Sequence, residues 1–277
     1  MVYLTLSGKV LSDYILQQAK KDVATMNSAP GLAVVLVGDN PASVTYVDKK
    51  KKAAENVGIK FELIKLSKET GESELLKVVE RLNGDPTIDG FIVQLPLPKQ
   101  IDEKKILMAI NPEKDVDGFH PINIGRMVAG DESVLLPATP AGIIKMIEHL
   151  KIPIAGKHVV VVGRSNIVGK PVASLLLNRD ATVTICHSKT KNLASYTLDA
   201  DILVVAVGKP KMITANMVKE GAYVIDVGTT KVDGKLTGDV DFENVIKKAH
   251  CSPVPGGVGL LTVSALISNT VKAAKSR

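Results

Sequence analysis

Apolar residues in this chain fall into short unbroken runs separated by longer segments of helical period, and the alternation repeats from end to end. Residues 32–37 (LAVVLV) read as a buried strand after the Pro30-Gly31 break, 59–66 as a second and 90–94 (GFIVQ) as a third. Helices are predicted between them. The first covers 7–26, with Val10, Leu11, Tyr14, Ile15 and Ala19 on one side. The second has Asn40 as N-cap and Pro41 as first helical residue, and runs to Val57 before stopping at Gly58. Two more cover 72–82 and 102–110, and Leu95-Pro96-Leu97-Pro98 closes the third strand, since a central strand cannot continue through prolines.

A proline-punctuated connector, 111–140, leads through Thr139-Pro140 into a helix at 141–150. Strands at 159–162, 181–186, 202–205 and 223–227 then alternate with helices, and a glycine–proline loop, 252–259, precedes a last helix at 261–274. Repeated βα alternation predicts an α/β protein whose parallel sheets carry helices on both faces. With 277 residues, two domains are expected. The first is an αβα domain, 1–138, joined by the C-terminal helix 261–277, and the second, 139–260, is a Rossmann-type doubly wound parallel sheet.

The chain is organised around 157–177, KHVVVVGRSNIVGKPVASLLL. The β-branched run 159–162 suits a strand buried on both faces, Gly163 ends it, and 168–177 reads as a helix with Gly169 and Pro171 in its first turn. A strand, a glycine turn and a helix N-terminus present free N–H groups to an anion such as a dinucleotide pyrophosphate. Only Gly163 and Gly169 of the usual three glycines are in place, with Ser165 and Asn166 between them, so an ordinary strand-to-helix turn is the alternative. The next strand ends at His187-Ser188-Lys189-Thr190 with no acid for a ribose 2′-hydroxyl. A hydroxyl and a lysine there, with Arg164 in the glycine turn, favour a 2′-phosphate, hence NADP over NAD.

Composition narrows the function. Aromatic residues make up 3% of the chain and tryptophan is absent, so the core is aliphatic and a base-stacking nucleic-acid platform is not expected. The net charge of +6 suits phosphorylated or polycarboxylate ligands, and the run Lys49-Lys50-Lys51-Lys52 reads as a solvated helix face rather than a nucleic-acid patch. Cys186 and Cys251 are far apart, which leaves no disulfide framework and no zinc spacing; Cys186 reads as a packing residue, and no metal site is expected. The N-terminus lacks a signal-peptide pattern and no apolar run approaches the ~20 residues of a membrane span, so a soluble cytoplasmic protein is expected.

Candidate chemistry gathers in the first half. Tyr46 and Lys50, four apart, share a helix face beside the stripe of Val47, Ala53, Ala54 and Val57, which predicts partial desolvation of Lys50 and a lowered pKa. A surface lysine beside a packing tyrosine is the plainer alternative. Gln94 closes the third strand and must satisfy its amide, either on local backbone or by holding a lysine or ligand. Asp117-Gly118 reads as a turn presenting a carboxylate, with Asp115 as a second acid nearby. His120, before a proline in the connector, reads as structural.

Five stretches in register, 43–50 (SVTYVDKK), 93–98 (VQLPLP), 114–118 (KDVDG), 163–171 (GRSNIVGKP) and 253–259 (PVPGGVG), resemble the bifunctional methylenetetrahydrofolate dehydrogenase/methenyltetrahydrofolate cyclohydrolase family over essentially the whole chain. The resemblance implies NADP-dependent oxidation of 5,10-methylenetetrahydrofolate and hydrolysis of the methenyl product to 10-formyltetrahydrofolate, in one cleft between a folate-binding and an NADP-binding domain. It implies Lys50 as catalytic lysine, Tyr46 beside the folate ring, Gln94 positioning the lysine and Asp117 on the pterin amide edge, with Asp115 as alternative. Leu95 and the loop residues Pro255, Gly256, Gly257 and Gly259 would contact the substrate. Gly163, Arg164, Ser165, Ser188, Thr229, Thr139 and Thr262 would contact the cofactor. Tetrahydrofolate derivatives are the implied partners, in a homodimer without nucleic acid or membrane. The chain departs from common members at Leu260-Leu261, where they have proline and methionine, and at Gly228-Thr229, where an isoleucine is common.

The rival enzyme reading is another two-domain NADP-dependent dehydrogenase, of shikimate or amino-acid type. An α-carboxylate substrate calls for an arginine clamp. The first half offers only Arg81 and Arg126, neither at a strand's carboxyl end. A nucleotide-sensing or RNA-binding module is the non-enzymatic rival.

Overall fold

The computed structural model describes residues 2–276. The chain divides into two compact units, one of Asp13–Ala138 with the segment from Val263 onward, the other of the stretch up to Ser12 with Thr139–Thr262.

The first unit begins on α1 (Lys9–Ala24) and then alternates β1 (Gly31–Val37), α2 (Pro41–Val57), β2 (Lys60–Leu66), α3 (Glu72–Gly84), β3 (Gly90–Val93) and α4 (Glu103–Ala109). Its three strands are parallel in the order β2-β1-β3. Every residue of β1 is buried, because successive side chains feed two different cores. Leu32, Val34 and Leu36 pack with Val47, Ala54 and Val57 of α2 and with Leu266 near the chain's end. Ala33, Val35 and Val37 pack with Leu75, Val79 and Leu82 of α3 and Ile106 of α4. That is an αβα sandwich, and the uninterrupted apolar run is its signature.

Two details differ from expectation. Of the five apolar residues expected on one side of α1, Leu11, Ile15 and Ala19 are buried, while Val10 and Tyr14 face solvent. At about 100° per residue the i, i+4, i+8 row is a narrow stripe, and its neighbours one position back fall outside it. The connector also holds a helix, α5 (Pro121–Val128), capped by His120, whose Nδ1 accepts from Ile122 N. Histidine is an uncommon cap and Gly125 interrupts the pattern, so composition hides it.

In the second unit α6 (Ala138–His149) precedes β4 (His158–Val162), α7 (Gly169–Leu177), β5 (Thr182–Cys186), α8 (Leu193–Thr197), β6 (Ile202–Val205) and β7 (Tyr223–Asp226). A small antiparallel hairpin, β8 (Thr230–Val232) and β9 (Lys235–Thr237), follows, then α9 (Phe242–Val245), β10 (His250–Cys251) and α10 (Val258–Lys275). The main sheet is parallel, in the order β10-β7-β6-β4-β5. The chain leaves β4 on one side to make β5 and returns on the other to make β6, so the strand order reverses at β4, where such sheets bind ligands. Residues up to Ser12, expected in the first domain, pair here: Leu6 N donates to Cys251 O and Gly8 N to Gly256 O, both at 2.9 Å. Among the described residues no helix is long and apolar enough to cross a membrane.

Candidate active site

Asn40 Oδ1 accepts from Ala42 N and Ser43 N, which fixes the start of α2 and the phase of its faces. The buried row of that helix is Ser43, Val47, Lys50, Ala54 and Val57. Lys50 therefore sits inside an apolar stripe and is only 3% exposed, while Lys49, Lys51 and Lys52 face solvent. Its Nζ donates to Gln94 Oε1 at 3.0 Å and lies 5.6 Å from the centre of the Tyr46 ring. Burial pushes the lysine pKa down, and the negative charge of Asp117 partly restores it. Enclosure is thus more complete than the partial desolvation expected from the sequence.

Gln94 is set by β3. Its backbone N donates to Val35 O at 2.8 Å, continuing the ladder one residue past the strand, and its Nε2 donates to Leu95 O at 2.8 Å. With the amide nitrogen committed to backbone, the amide oxygen is left to Lys50. The Leu95-Pro96 peptide that follows is cis.

The two acids of the 114–118 stretch have different work. Asp115 is buried and acts as an internal brace: Oδ1 accepts from Gly118 N, and Oδ2 from His120 N at 2.7 Å and from Asn123 Nδ2. Enclosure, with the charge of Asp117 adding, pushes its pKa up to about 7 against those donors. Asp117 is half-buried and its charge acts on Lys50. Gly118, at φ +73, closes the turn that carries them, its N donating to Asp115 O at 3.0 Å, and a Cβ there would run into the Leu136 carbonyl. His120 serves α5 and lies against Met108 O, a structural role.

In the second unit Gly163 (φ +131) passes so close to Ala206 O that no side chain fits, and Gly169 packs equally tightly on the Gly163 carbonyl. The first N–H groups of α7 are not left free as expected. Ser165 Oγ accepts from both Val168 N and Gly169 N, acting as the cap that Val168 cannot be. A cavity of about 220 Å³ opens at the carboxyl ends of β4, β6 and β7, lined by Ser165, Val168, Ala206, Gly208, Gly228 and Thr229 among others. Arg164 and Ser188 are exposed, and Cys186 before them is buried as expected. Thr139 and Thr262 pair through their hydroxyls at 2.9 Å. In the 252–259 loop Val254-Pro255 is cis, Gly256 takes φ +108, Gly257 is buried, Gly259 half-buried and Pro255 exposed.

The structure thus brings Tyr46, Lys50, Gln94 and Asp117 to one place in the first unit and Ser165 and Thr229 to one cavity in the second. Two buried acids at that cavity's back, Asp226 and Asp239, escape sequence reasoning. Their signal is faint: an acid closing an apolar strand, and Gly238-Asp239 after a polar hairpin.

A cofactor of dinucleotide type fits the second unit. The cavity stands at the strand-order reversal, and Gly163 and Gly169 let the turn, β6 and the start of α7 pack closely behind it, the tight turn and close helix–strand packing of a dinucleotide-binding unit.

Comparison with known proteins agrees on both halves. Residues 6–117 match the catalytic domain of the tetrahydrofolate dehydrogenase/cyclohydrolase family model, and 137–277 match its NAD(P)-binding domain. The Bifunctional protein FolD of Halalkalibacterium halodurans is 55% identical over 279 residues, covering 99% of this chain and 100% of that one. The crystal structure of the bifunctional methylenetetrahydrofolate dehydrogenase/cyclohydrolase FolD from Campylobacter jejuni has a TM-score of 0.97 at 47% identity, over 100% of each chain. The Trypanosoma brucei dehydrogenase-cyclohydrolase, solved with NADP and an inhibitor, has a TM-score of 0.95 at 37% identity, over 100% of this chain and 98% of that one.

Proposed function

The chain belongs to the tetrahydrofolate dehydrogenase/cyclohydrolase family, and from that premise we propose that it oxidises 5,10-methylenetetrahydrofolate with NADP and hydrolyses the methenyl product to 10-formyltetrahydrofolate, with Lys50 as catalytic lysine. The observation that carries the assignment of Lys50 is its burial on α2 with Nζ held by Gln94.

Oxidation asks little acid–base chemistry of the protein. Loss of hydride leaves a cation already shared by two nitrogens, so the task is alignment. Bound NADP supplies the hydride acceptor. Tyr46 flanks the folate ring, Asp117 accepts from the pterin amide edge, and Gln94, Leu95 and the loop residues Pro255, Gly256, Gly257 and Gly259 complete the substrate contacts. Gly163 and Ser165 take the pyrophosphate side, Arg164 and Ser188 the 2′-phosphate, with Thr139, Thr229 and Thr262 as further cofactor contacts.

Hydrolysis needs a base. Burial, by lowering the pKa of Lys50, favours its neutral amine over that of an exposed lysine, and that amine takes a proton as water adds to the methenyl carbon. The same Nζ then returns that proton to the folate ring nitrogen as the carbon–nitrogen bond breaks, while the hydroxyl made from water releases its remaining proton to solvent and becomes the carbonyl of the formyl group on the other nitrogen. Gln94 holds the amine in place and Asp117 limits how far its pKa falls. The enzyme would work in the cytoplasm as a homodimer, without nucleic-acid or membrane partners, on domains close to 1–138 with the C-terminal helix and 139–260.

An absorbance assay tests the whole reading. NADP reduction with 5,10-methylenetetrahydrofolate, then faster decay of the methenyl chromophore than in buffer, is expected. Reduction with a persistent methenyl species would remove Lys50 from its role, and no reduction with NADP or NAD would remove the substrate.

A further inference from the structure

Two carboxylates that take no part in these reactions are enclosed in the second unit. Asp226, the last residue of β7, is 2% exposed and Asp239, just past β9, is 0% exposed. Asp239 Oδ2 accepts from Val207 N at 2.7 Å and Gly208 N at 2.9 Å. Asp226 accepts from Gly228 N and Asp239 N on one oxygen and from Val240 N on the other, each at 2.9 Å. Val207-Gly208 follow β6 and Gly228 follows β7. The two acids therefore tie both loops to the base of the hairpin.

Those same loops line the cavity, through Ala206, Gly208, Val227 and Gly228. The packing leaves no tolerance: a Cβ on Gly228 would strike the Asp239 carboxylate, and one on Gly238 would strike Asp226 Oδ2. Asp239 Oδ1 is buried and, among the described residues, has no hydrogen-bond partner. Enclosing two acids side by side also pushes Asp226 up to about 6, by burial first. An unsatisfied buried oxygen and mutual repulsion both cost stability. At position 239 an asparagine oxygen could have held Val207 N and Gly208 N without the charge repulsion, and departures of this kind gather at functional sites.

We propose that Asp239, supported by Asp226, is a positioning residue for the cofactor: by holding the N–H groups of Val207 and Gly208 it shapes the two loops around the dinucleotide without touching the 2′-phosphate. The inference rests on the assignment of the cavity to NADP.

The test compares full-length wild type, Asp239→Ala and Asp239→Asn, the last keeping an oxygen acceptor for Val207 and Gly208. In Asp239→Ala the KM for NADP and for NAD should rise by one common factor of about tenfold or more, as expected for a displaced binding loop. The folate KM and the hydrolysis of supplied methenyl substrate should stay at wild-type values, and Asp239→Asn should restore most of the dinucleotide affinity. Unchanged dinucleotide KM values overturn the proposal. So does a parallel loss of oxidation, hydrolysis and Tm, which marks a general structural role, and so does a defect confined to NADP. Wild-type protein that binds neither dinucleotide overturns the assignment of the cavity itself, and this proposal with it.

Discussion

Lys50 Nζ and Gln94 Oε1, brought together at 3.0 Å by α2 and the end of β3, form a bond in which a buried amine depends on a neutral acceptor. Gln94→Leu leaves Lys50 without that acceptor, and hydrolysis should fall by about a hundredfold, the scale of a displaced general base. Gln94→Glu is the sharper experiment. A carboxylate at this position raises the Lys50 pKa, so the rising limb of the hydrolysis pH profile should move to higher pH. A profile unmoved by that charge would mean the neutral amine is not the active form.

Lys50→Met keeps the length of the side chain and removes its nitrogen. Hydrolysis should drop to the level of buffer while the Kd for NADP is unchanged. Hydrolysis at the wild-type rate would take Lys50 out of the reaction.

Arg164→Ala and Ser188→Ala are expected to raise the KM for NADP by about tenfold, the scale of a lost charge-assisted bond, and to leave that for NAD nearly unchanged. Equal effects on both dinucleotides would show that neither side chain meets the 2′-phosphate. Together with Asp239→Ala, whose effect should be common to both, they separate recognition of one phosphate from the shape of the whole cavity.

Asp115 carries a pH dependence of stability. Its folded pKa, about 7, lies above the ordinary carboxylate value, so the unfolded chain gives up this proton first as pH rises. The contribution is complete below the unfolded pKa and is lost between there and about 7, at up to roughly 1.4 kcal/mol per pH unit for one proton. Asp115→Asn, which keeps an oxygen for Gly118 N or His120 N, should flatten that decline between pH 4 and 7 in denaturant titrations. An identical slope in wild type and variant would place the titration elsewhere.

How far the sequence is legible depends on the range of the interactions concerned. The unbroken run of β1, the Asn40-Pro41 start of α2 and the Gly163 turn are local, and each appears in the structure at its expected place. Periodicity also puts Tyr46 and Lys50 on one face. It cannot tell that Lys50 is enclosed and Lys51 exposed, because a run of four lysines has no period; only the neighbouring Val47 and Ala54 carry that information. The α5 helix depends on an unusual cap and the clamp of Asp226 and Asp239 on partners up to 32 residues away, whereas the β8–β9 hairpin is local, turning at Asp233-Gly234, a signal that composition and periodicity alone pass over. The rival two-domain dehydrogenase shares the nucleotide-side pattern, and the match of residues 6–117 to the folate catalytic domain decides against it.

Asn269, on α10, donates to Val116 O at 2.9 Å and Leu136 O at 2.8 Å, and Lys272 donates to Glu132 O and Val134 O. The Val116 and Leu136 carbonyls flank the turn that carries Asp117, more than a hundred residues earlier. The helix that holds the carboxylate turn also supplies Leu266, Ile267 and Val271 to the core with Leu32 and Val34, so a change at Asn269 that spares those three can loosen the turn while the core stays closed.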